Sequence, residues 1–191
     1  MAMPDLFIDV ETAGKSDRAA IISIGMQFCN IRTGEKGPTF YAQISPISAL
    51  QYGEKDESTM AFWNSSKTTP EARREAFGGT KTAPQVGAEV ISFVKTQPYI
   101  KPWGNGSIFD VTIMQHWFRM LGIEIPWNFW DARDLRTLLD IAGMNKKSVP
   151  FEGTEHVAID DVMHEVELAC AAYAKMFKPE GDDPELVIGA M

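Results

Sequence analysis

The sequence predicts a single α/β domain in which a mixed sheet carries helices on both faces. Residues 1–44 contain three apolar runs of strand length separated by short polar turns, which predicts an antiparallel meander. From residue 59 onwards, helical patterns alternate with short strands, as in folds that add parallel strands to a sheet. The chain has 191 residues, of which 45% are hydrophobic and 23% charged, so it is long enough for one sizeable core.

The meander is predicted to consist of strands at residues 6–11, 20–29 and 39–44. The strand that contains Asp9 is expected at the centre of the sheet. A short strand at residues 99–104 should lie beside it, and a last strand is expected at residues 128–130.

Six helices are predicted from apolar positions that recur at helical spacing and from glycines that end them. They span residues 59–64, 70–77, 84–96, 108–121, 134–142 and 159–177. Ser58 is the expected N-cap of the first helix, and residues 45–58 are expected to form a loop. The domain should cover residues 1–178, with residues 179–191 as an acidic, loosely ordered tail.

Charge and cysteine content restrict the function classes. A formal net charge of −8 argues against a broad basic face that grips long nucleic acid, but it is compatible with binding of a chain end. Cys29 and Cys170 lie in apolar segments and are expected to be free thiols in a reducing, cytoplasmic compartment. No secretory signal and no apolar run of membrane-spanning length is visible, so no membrane partner is expected.

The first strand ends in two carboxylates, Asp9 and Glu11, which are separated by one residue. Because side chains alternate along a strand, both point to the same face of the sheet. Two anions that leave a buried strand together repel each other and lose hydration, so a divalent metal ion is expected between them. The alternative is a solvated strand end, since Asp-x-Glu is a common tripeptide.

Further acids lie at the starts of two helices. Asp110 is in the first turn of the helix that follows the strand at residues 99–104, and this helix should start close to Asp9. The last helix carries four acids near its start, Asp160, Asp161, Glu165 and Glu167. The alternative for both sets is that acids simply complement the positive end of a helix dipole on a solvated face.

A candidate proton acceptor, His156, lies in the loop before the last helix. Histidine side chains titrate near neutral pH, and one on a loop can reach towards a substrate. On a continuous helix, His156 and Asp161 would lie well apart around the axis, which favours the loop position. The competitors His116 and His164 are interpreted as ordinary helix residues.

Three segments, in this order, resemble the motif set of the DEDDh 3′–5′ exonucleases, which include polymerase proofreading subunits and oligoribonucleases. They are residues 9–14 (DVETAG), 105–110 (NGSIFD) and 156–161 (HVAIDD). The resemblance spans residues 5 to about 177 and implies a ribonuclease H-like fold. Trp63 and the WDARDLRT segment at residues 130–137 are further similar to the subgroup of phage exonucleases and small bacterial exoribonucleases.

The chain departs from the family pattern at one position and is ambiguous at another. Many members have a second threonine where this chain has Ala13, which removes a polar group near the substrate. Asp160 precedes Asp161 directly, and the spacing typical of the family selects Asp161 as the fourth carboxylate.

The resemblance implies hydrolysis of phosphodiester bonds with two Mg²⁺ or Mn²⁺ ions. Asp9 would bridge both ions. Glu11 and Asp161 would complete the site of the ion that activates water, and Asp110 would hold the second ion, partly through waters. His156 would act as the general base.

Four residues are predicted to contact the substrate, namely Thr12, Trp63, Asn105 and Arg133. Trp63 would stack on a terminal base, and the same is expected of Phe62 and Trp103. The alternative for each of these rings is a position in the hydrophobic core. Arg133 would contact phosphate, unless it is an ordinary surface or ion-pairing arginine.

The sequence is therefore interpreted as a metal-dependent 3′–5′ exonuclease that releases nucleoside 5′-monophosphates from the 3′ end of single-stranded DNA or RNA. One alternative is an endonuclease or ribonuclease H of the same fold. Another is an inactive module that only binds nucleic acid. The sequence leaves open the choice between DNA and RNA and the oligomeric state, a homodimer included.

Overall fold

The fold is centred on a mixed, five-stranded sheet, which a computed structural model describes over residues 3–177. Its strands are β1 Asp5–Thr12, β2 Ile21–Asn30, β3 Glu35–Gln43, β4 Lys101–Gly104 and β5 Arg133–Asp134. The order is β3-β2-β1-β4-β5, with the first three strands antiparallel and β4 and β5 parallel to β1. The predicted fold class and the central position of β1 are confirmed.

Seven helices surround the sheet. They are α1 Pro46–Ala49, α2 Glu57–Trp63, α3 Pro70–Phe77, α4 Ala83–Val94, α5 Asp110–Met120, α6 Leu135–Ile141 and α7 Ala158–Met176. Helix α1 falls in the predicted loop. Helix α2 begins earlier than predicted, because the Asp56 carboxylate, not Ser58, accepts the capping bond from the Thr59 N–H (2.7 Å). Over residues 3–177, no helix has the length and apolar character needed to cross a membrane. The predicted tail at residues 179–191 lies outside the described residues.

The last strand is Arg133–Asp134, so the prediction of a strand at residues 128–130 was wrong. Phe129–Asp131 forms a single 3-10 turn instead, in which Phe129 and Trp130 are 79% and 63% exposed. Their rings contact each other edge to face, with centroids 4.9 Å apart. An aromatic run of this kind has the composition of a buried strand although it lies at the surface.

The two faces of β1 belong to different cores. Leu6, Ile8 and Val10 pack with apolar residues of helices α1 to α5. Phe7, between them, packs with Trp103 and with apolar residues of α6 and α7. Since side chains alternate, Asp9 and Glu11 continue the Phe7 side and lie on the face covered by α7.

Gly25 allows α7 to approach this face closely. It is the cross-strand partner of Asp9 on β2. A Cβ atom at Gly25 would lie 2.1 Å from the carbonyl oxygen of Ala158, the residue at which α7 begins. Only glycine leaves room for the helix backbone here, so the first turns of α7 lie next to Asp9.

Candidate active site

A cavity of about 650 Å³ lies at the end of β1, between the starts of α5 and α7 and the connection from α6 to α7. We refer to this connection, residues 142–157, as the α6–α7 loop. Five predicted catalytic residues line the cavity, namely Asp9, Glu11, Asp110, His156 and Asp161. They come from β1, α5, the loop and α7, and the fold brings all of them to one space.

The turn after Glu11 is fixed from inside the protein. The pairing of β1 with β2 shifts register between Glu11 and Thr12. The Thr12 hydroxyl donates to the Gly14 carbonyl (2.5 Å), and the indole N–H of Trp63 donates to the Thr12 carbonyl (2.9 Å). These bonds hold the backbone directly beside the acidic residues.

The position of Trp63 corrects the prediction that its ring stacks on a terminal base. The residue is only 2% exposed and lies in the core, so its role is to support the turn at Thr12. Ala13 is also buried, and its N–H donates to the Ala20 carbonyl (2.9 Å). The residue that replaces the family's threonine therefore points into the fold and not into the cavity.

Asp110 is held against β1. It is the first residue of α5, it is buried, and its carboxylate accepts a hydrogen bond from the backbone N–H of Val10 (3.4 Å). Gly104, the last residue of β4, leaves room for it, since a Cβ atom there would lie 3.0 Å from Asp110 Oδ2. The helix start is thereby tied to the strand that carries Asp9.

Asp160 and Asp161 are adjacent but serve different parts of the site. Asp161 lines the cavity and accepts a hydrogen bond from the backbone N–H of His156 (2.7 Å). Asp160 accepts one from the backbone N–H of Thr154 (2.8 Å). The structure therefore places Asp161 among the acids of the cavity and Asp160 on the backbone of the α6–α7 loop.

His156 has an unusual backbone conformation. Its φ of 68° lies in the left-handed region, which is uncommon for residues other than glycine and often marks functional sites. Its ring contacts Phe62 edge to face, with centroids 5.1 Å apart. In this position, ligand atoms of Glu11, His156 and Asp161 lie within 4.8 Å of one another.

Burial dominates the electrostatics of the acids. It raises the pKa of Glu11 to about 8, with further contributions from Asp161 and Asp110. Burial likewise raises the pKa values of Asp110 and Asp161 to about 7, and that of Asp9 lies well above its ordinary value. Without cations, these carboxylates hold protons at neutral pH or repel one another.

Burial has the opposite effect on His156, because the charged form of an imidazole is the protonated one. The pKa of this half-buried ring is lowered. The ring is therefore neutral at pH 7 and has a lone pair with which to accept a proton.

Residues 4–173 match the family described as the 3′–5′ exoribonuclease Rv2179c-like domain. The chain belongs to this family. It is accordingly a 3′–5′ exonuclease, and the predicted membership of the DEDDh group is confirmed. A search of curated protein sequences finds no significant match.

Solved structures similar to this exonuclease share its fold. The nuclease domain of 3′hExo, a DEDDh family member bound to rAMP, is 18% identical over 87% of this chain and 90% of its own, with a TM-score of 0.56. S. pombe Pop2p, in its Mg²⁺- and Mn²⁺-bound form, is 12% identical over 90% and 83%, with a TM-score of 0.57. E. coli exonuclease I with a dA16 oligonucleotide is 15% identical over 92% of this chain and 41% of its own, with a TM-score of 0.62.

The cavity of this exonuclease contains polar residues to which the sequence assigned no role. Glu165 is only 3% exposed but lines the cavity, as do three basic residues, Arg136, Lys146 and Lys147. A solvated helix face was the alternative expectation for this acid. Its position between Val162 and Val166, inside the apolar stripe of α7, is the signal that could have identified it as buried.

Two predicted substrate contacts differ in their placement. Asn105 lines the cavity, where its Oδ1 atom accepts a hydrogen bond from Arg136 Nε (3.2 Å). Arg133 lies outside it, and its guanidinium donates to the backbone carbonyls of Trp130 and Ala132 (3.0 and 2.9 Å). Arg136, and not Arg133, is the arginine that lines the cavity.

The side chains of Thr12 and Trp103 are also used within the fold. The Thr12 hydroxyl is committed to Gly14, so contact with a substrate would require this bond to open. Trp103 stacks on Phe7 with ring centroids 5.2 Å apart, and its N–H donates to the buried Asp5 carboxylate (3.0 Å). The Trp103 ring is thus a core element.

Proposed function

We propose that this exonuclease releases nucleoside 5′-monophosphates from the 3′ end of single-stranded RNA, using two divalent ions and His156 as the general base. The observation that supports this best is the convergence of four carboxylates and one histidine on a single cavity. The order and spacing of these residues are those of the DEDDh motifs.

The donor set fits Mg²⁺ or Mn²⁺. Both are hard cations that prefer oxygen ligands, and the acidic residues supply carboxylates without a thiolate. Within residues 3–177, the buried Oδ2 atom of Asp9 has no hydrogen-bond partner, as expected for an oxygen whose partner is a cation. Asp9 would lie between the two ions, Glu11 and Asp161 would hold the one nearer His156, and Asp110 would contribute to the other.

Bound ions would supply the positive charge that makes water a nucleophile near neutral pH and that stabilises the charge developing on the phosphate. The side chains of the protein would orient the attacking water and accept its proton. A ring nitrogen of neutral His156 accepts it from the attacking water. The hydrogen bond from the backbone N–H of His156 to Asp161 and the contact of its ring with Phe62 hold the ring towards the acids.

Basic residues on two sides of the cavity would bind the phosphates of the substrate. Arg136 lies at the start of α6, and Lys146 and Lys147 lie on the α6–α7 loop. The net charge of −8 argues against a broad basic face and is compatible with such a local grip, so the footprint on the nucleic acid should be short. The family's description as exoribonucleases favours RNA over DNA.

The test is digestion of matched single-stranded RNA and DNA, labelled at either end, in the presence of Mg²⁺ or Mn²⁺. The expected result is early release of mononucleotide from the 3′-labelled RNA, gradual shortening of the 5′-labelled RNA and slower reaction with DNA. A circular RNA of the same sequence has no 3′ end and should survive. Cleavage of the circle would identify an endonuclease instead.

A further inference from the structure

Besides the exposed Glu155, the cavity contains a fifth carboxylate that the four-acid arrangement leaves without a role. Glu165 lies one helical turn after Asp161, so both side chains are on the same face of α7. Glu165 is only 3% exposed, and within residues 3–177 its Oε2 atom has no hydrogen-bond partner. A buried, unpartnered carboxylate oxygen is costly unless a positive charge meets it.

The charge of Glu165 acts on the strand residue Asp9, whereas the acids that act most on Glu165 itself are Asp110 and Asp161. After burial, the charge of Glu165 is the largest cause of the raised pKa of Asp9, ahead of Asp110, Glu11 and Asp161. Asp9 Oδ2 is the other carboxylate oxygen of the cavity that lacks a partner within the described residues. Both residues line the same space, so one cation can satisfy both oxygens.

The remaining part of the Glu165 carboxylate is held in place. Burial raises the pKa of Glu165, and hydrogen bonding by the Asn105 side chain acts in the opposite direction. Asn105 is in turn fixed by Arg136, whose Nε atom donates to Asn105 Oδ1 (3.2 Å). Carboxylates that bind metals are commonly oriented by hydrogen bonds of this kind, which leave an oxygen for the ion.

These acids separate into two groups. Glu11, His156 and Asp161 offer ligand atoms within 4.8 Å of one another. Asp110 and Glu165 are the two carboxylates that contribute most to the electrostatic environment of Asp9. Apart from the exposed Glu155, the other carboxylates that line the cavity are Asp9, Asp110 and Glu165, so these three remain for the second cation.

We propose that Glu165 is a direct ligand of the second divalent ion, together with Asp9 and Asp110. The inference rests on the two-metal function proposed above and extends its metal site from four carboxylates to five. Its consequence is that the protein alone completes the second site, so that both ions should bind before nucleic acid arrives.

The experiment measures Mn²⁺ binding to the full chain without nucleic acid, by calorimetry and by the electron paramagnetic resonance signal of free Mn²⁺. The variants are Glu165→Gln and the control Glu167→Gln. Glu167 lies on the same helix, has a side chain that is 44% exposed and pairs with Lys36, so its substitution removes the same charge outside the cavity.

Wild type and the Glu167→Gln control should bind two ions. Glu165→Gln should bind one ion as before and the other about 10- to 100-fold more weakly. Its hydrolysis of RNA should recover as Mg²⁺ is raised. Glu165→Asp, which retracts the carboxylate but keeps its charge, should weaken the same ion, and unfolding curves in EDTA check that each variant is folded.

Two tight ions in Glu165→Gln would overturn this inference and leave the two-metal function intact. Equal weakening of both ions would overturn the assignment of Glu165 to one of them. If the wild type bound no Mn²⁺ at all, the proposed two-metal function would itself fail. The three failures are therefore distinguishable from a single set of titrations.

Discussion

The active site combines two regions, one enclosed within regular secondary structure and the other on a surface loop. The acidic cluster, consisting of Asp9, Glu11, Asp110, Asp161 and Glu165, lies on β1, α5 and α7 and is enclosed by the packed sheet and helices. The α6–α7 loop lies at the surface and holds His156 with a positive φ. Under the proposed function, the regular elements would provide metal binding and the loop would provide proton transfer. The two functions should therefore separate under mutation.

The largest effect is expected for Asp9→Asn. This change removes the charge shared by both ions, so hydrolysis of RNA and binding of Mn²⁺ should both fall below detection. Asp5→Asn is a matched control on the same face of β1. Asp5 is buried outside the cavity and accepts hydrogen bonds from Trp103 Nε1 (3.0 Å) and from the backbone N–H of Ile31 (3.3 Å). An amide oxygen can replace one of these acceptors, so an unfolding curve checks that this control is folded. Metal-dependent activity that survives in Asp9→Asn would contradict the bridging assignment.

His156→Ala tests the role of the α6–α7 loop. Loss of a general base should lower kcat by about 10²- to 10⁴-fold. The affinity for Mn²⁺ should stay close to that of wild type, because the acidic cluster is unchanged. Turnover and Mn²⁺ affinity are measured on the same preparation. Near-normal turnover would exclude the general-base role, whereas loss of metal binding would show that the two regions are not separable.

A smaller effect is expected when the loop is loosened without removal of its histidine. Asp160→Ala deletes the acceptor of the Thr154 N–H and should reduce kcat on the order of 10-fold by misplacing His156. Asp161→Asn, one residue further, should impair Mn²⁺ binding instead. Equal Mn²⁺ affinities in the two variants would argue against the division between loop and cluster.

The smallest effect concerns stability without metal. The folded protein keeps protons on Glu11 up to about pH 8 and on Asp110 and Asp161 up to about pH 7. An unfolded chain releases them near pH 4. The folded state therefore binds more protons between about pH 4 and 8, and stability falls as pH rises through this window.

Unfolding curves in EDTA should show a Tm that decreases from about pH 5 to about pH 8. Added Mg²⁺ should raise the Tm more at the higher pH, where the carboxylates are free of protons. Glu11→Gln removes one titrating group and should flatten the dependence. A Tm in EDTA that increases over this range would contradict the buried, mutually repelling state of the cluster.

Regular secondary structure explains what the sequence could predict. The alternation of side chains on β1 is enough to place Asp9 and Glu11 on one face, and both residues line the cavity. Helix starts and stops located α3 at Pro70–Phe77, as predicted. The loop position of His156 followed from its distance along the chain to Asp161.

The remaining features depend on tertiary contacts that a local pattern does not contain. Glu165 looks like a solvated helix acid until the sheet covers its face of α7. Trp63 is the last residue of the short helix α2, and its ring turns inwards to reach the Thr12 carbonyl. The short strand β5 consists of two polar residues, so no hydrophobic pattern marks it in the sequence. Only its pairing with β4 defines it as a strand.

The close approach at Gly25 makes metal affinity depend on a residue that has no side chain. The gap between β2 and the start of α7 sets how far the acids of the helix stand from the acid of the strand. A bulkier residue at Gly25 would widen this gap and weaken metal binding although every ligand remained in place. Inspection of the ligand positions alone would classify such a homologue as active, so the glycine belongs in any sequence criterion for a competent enzyme of this kind.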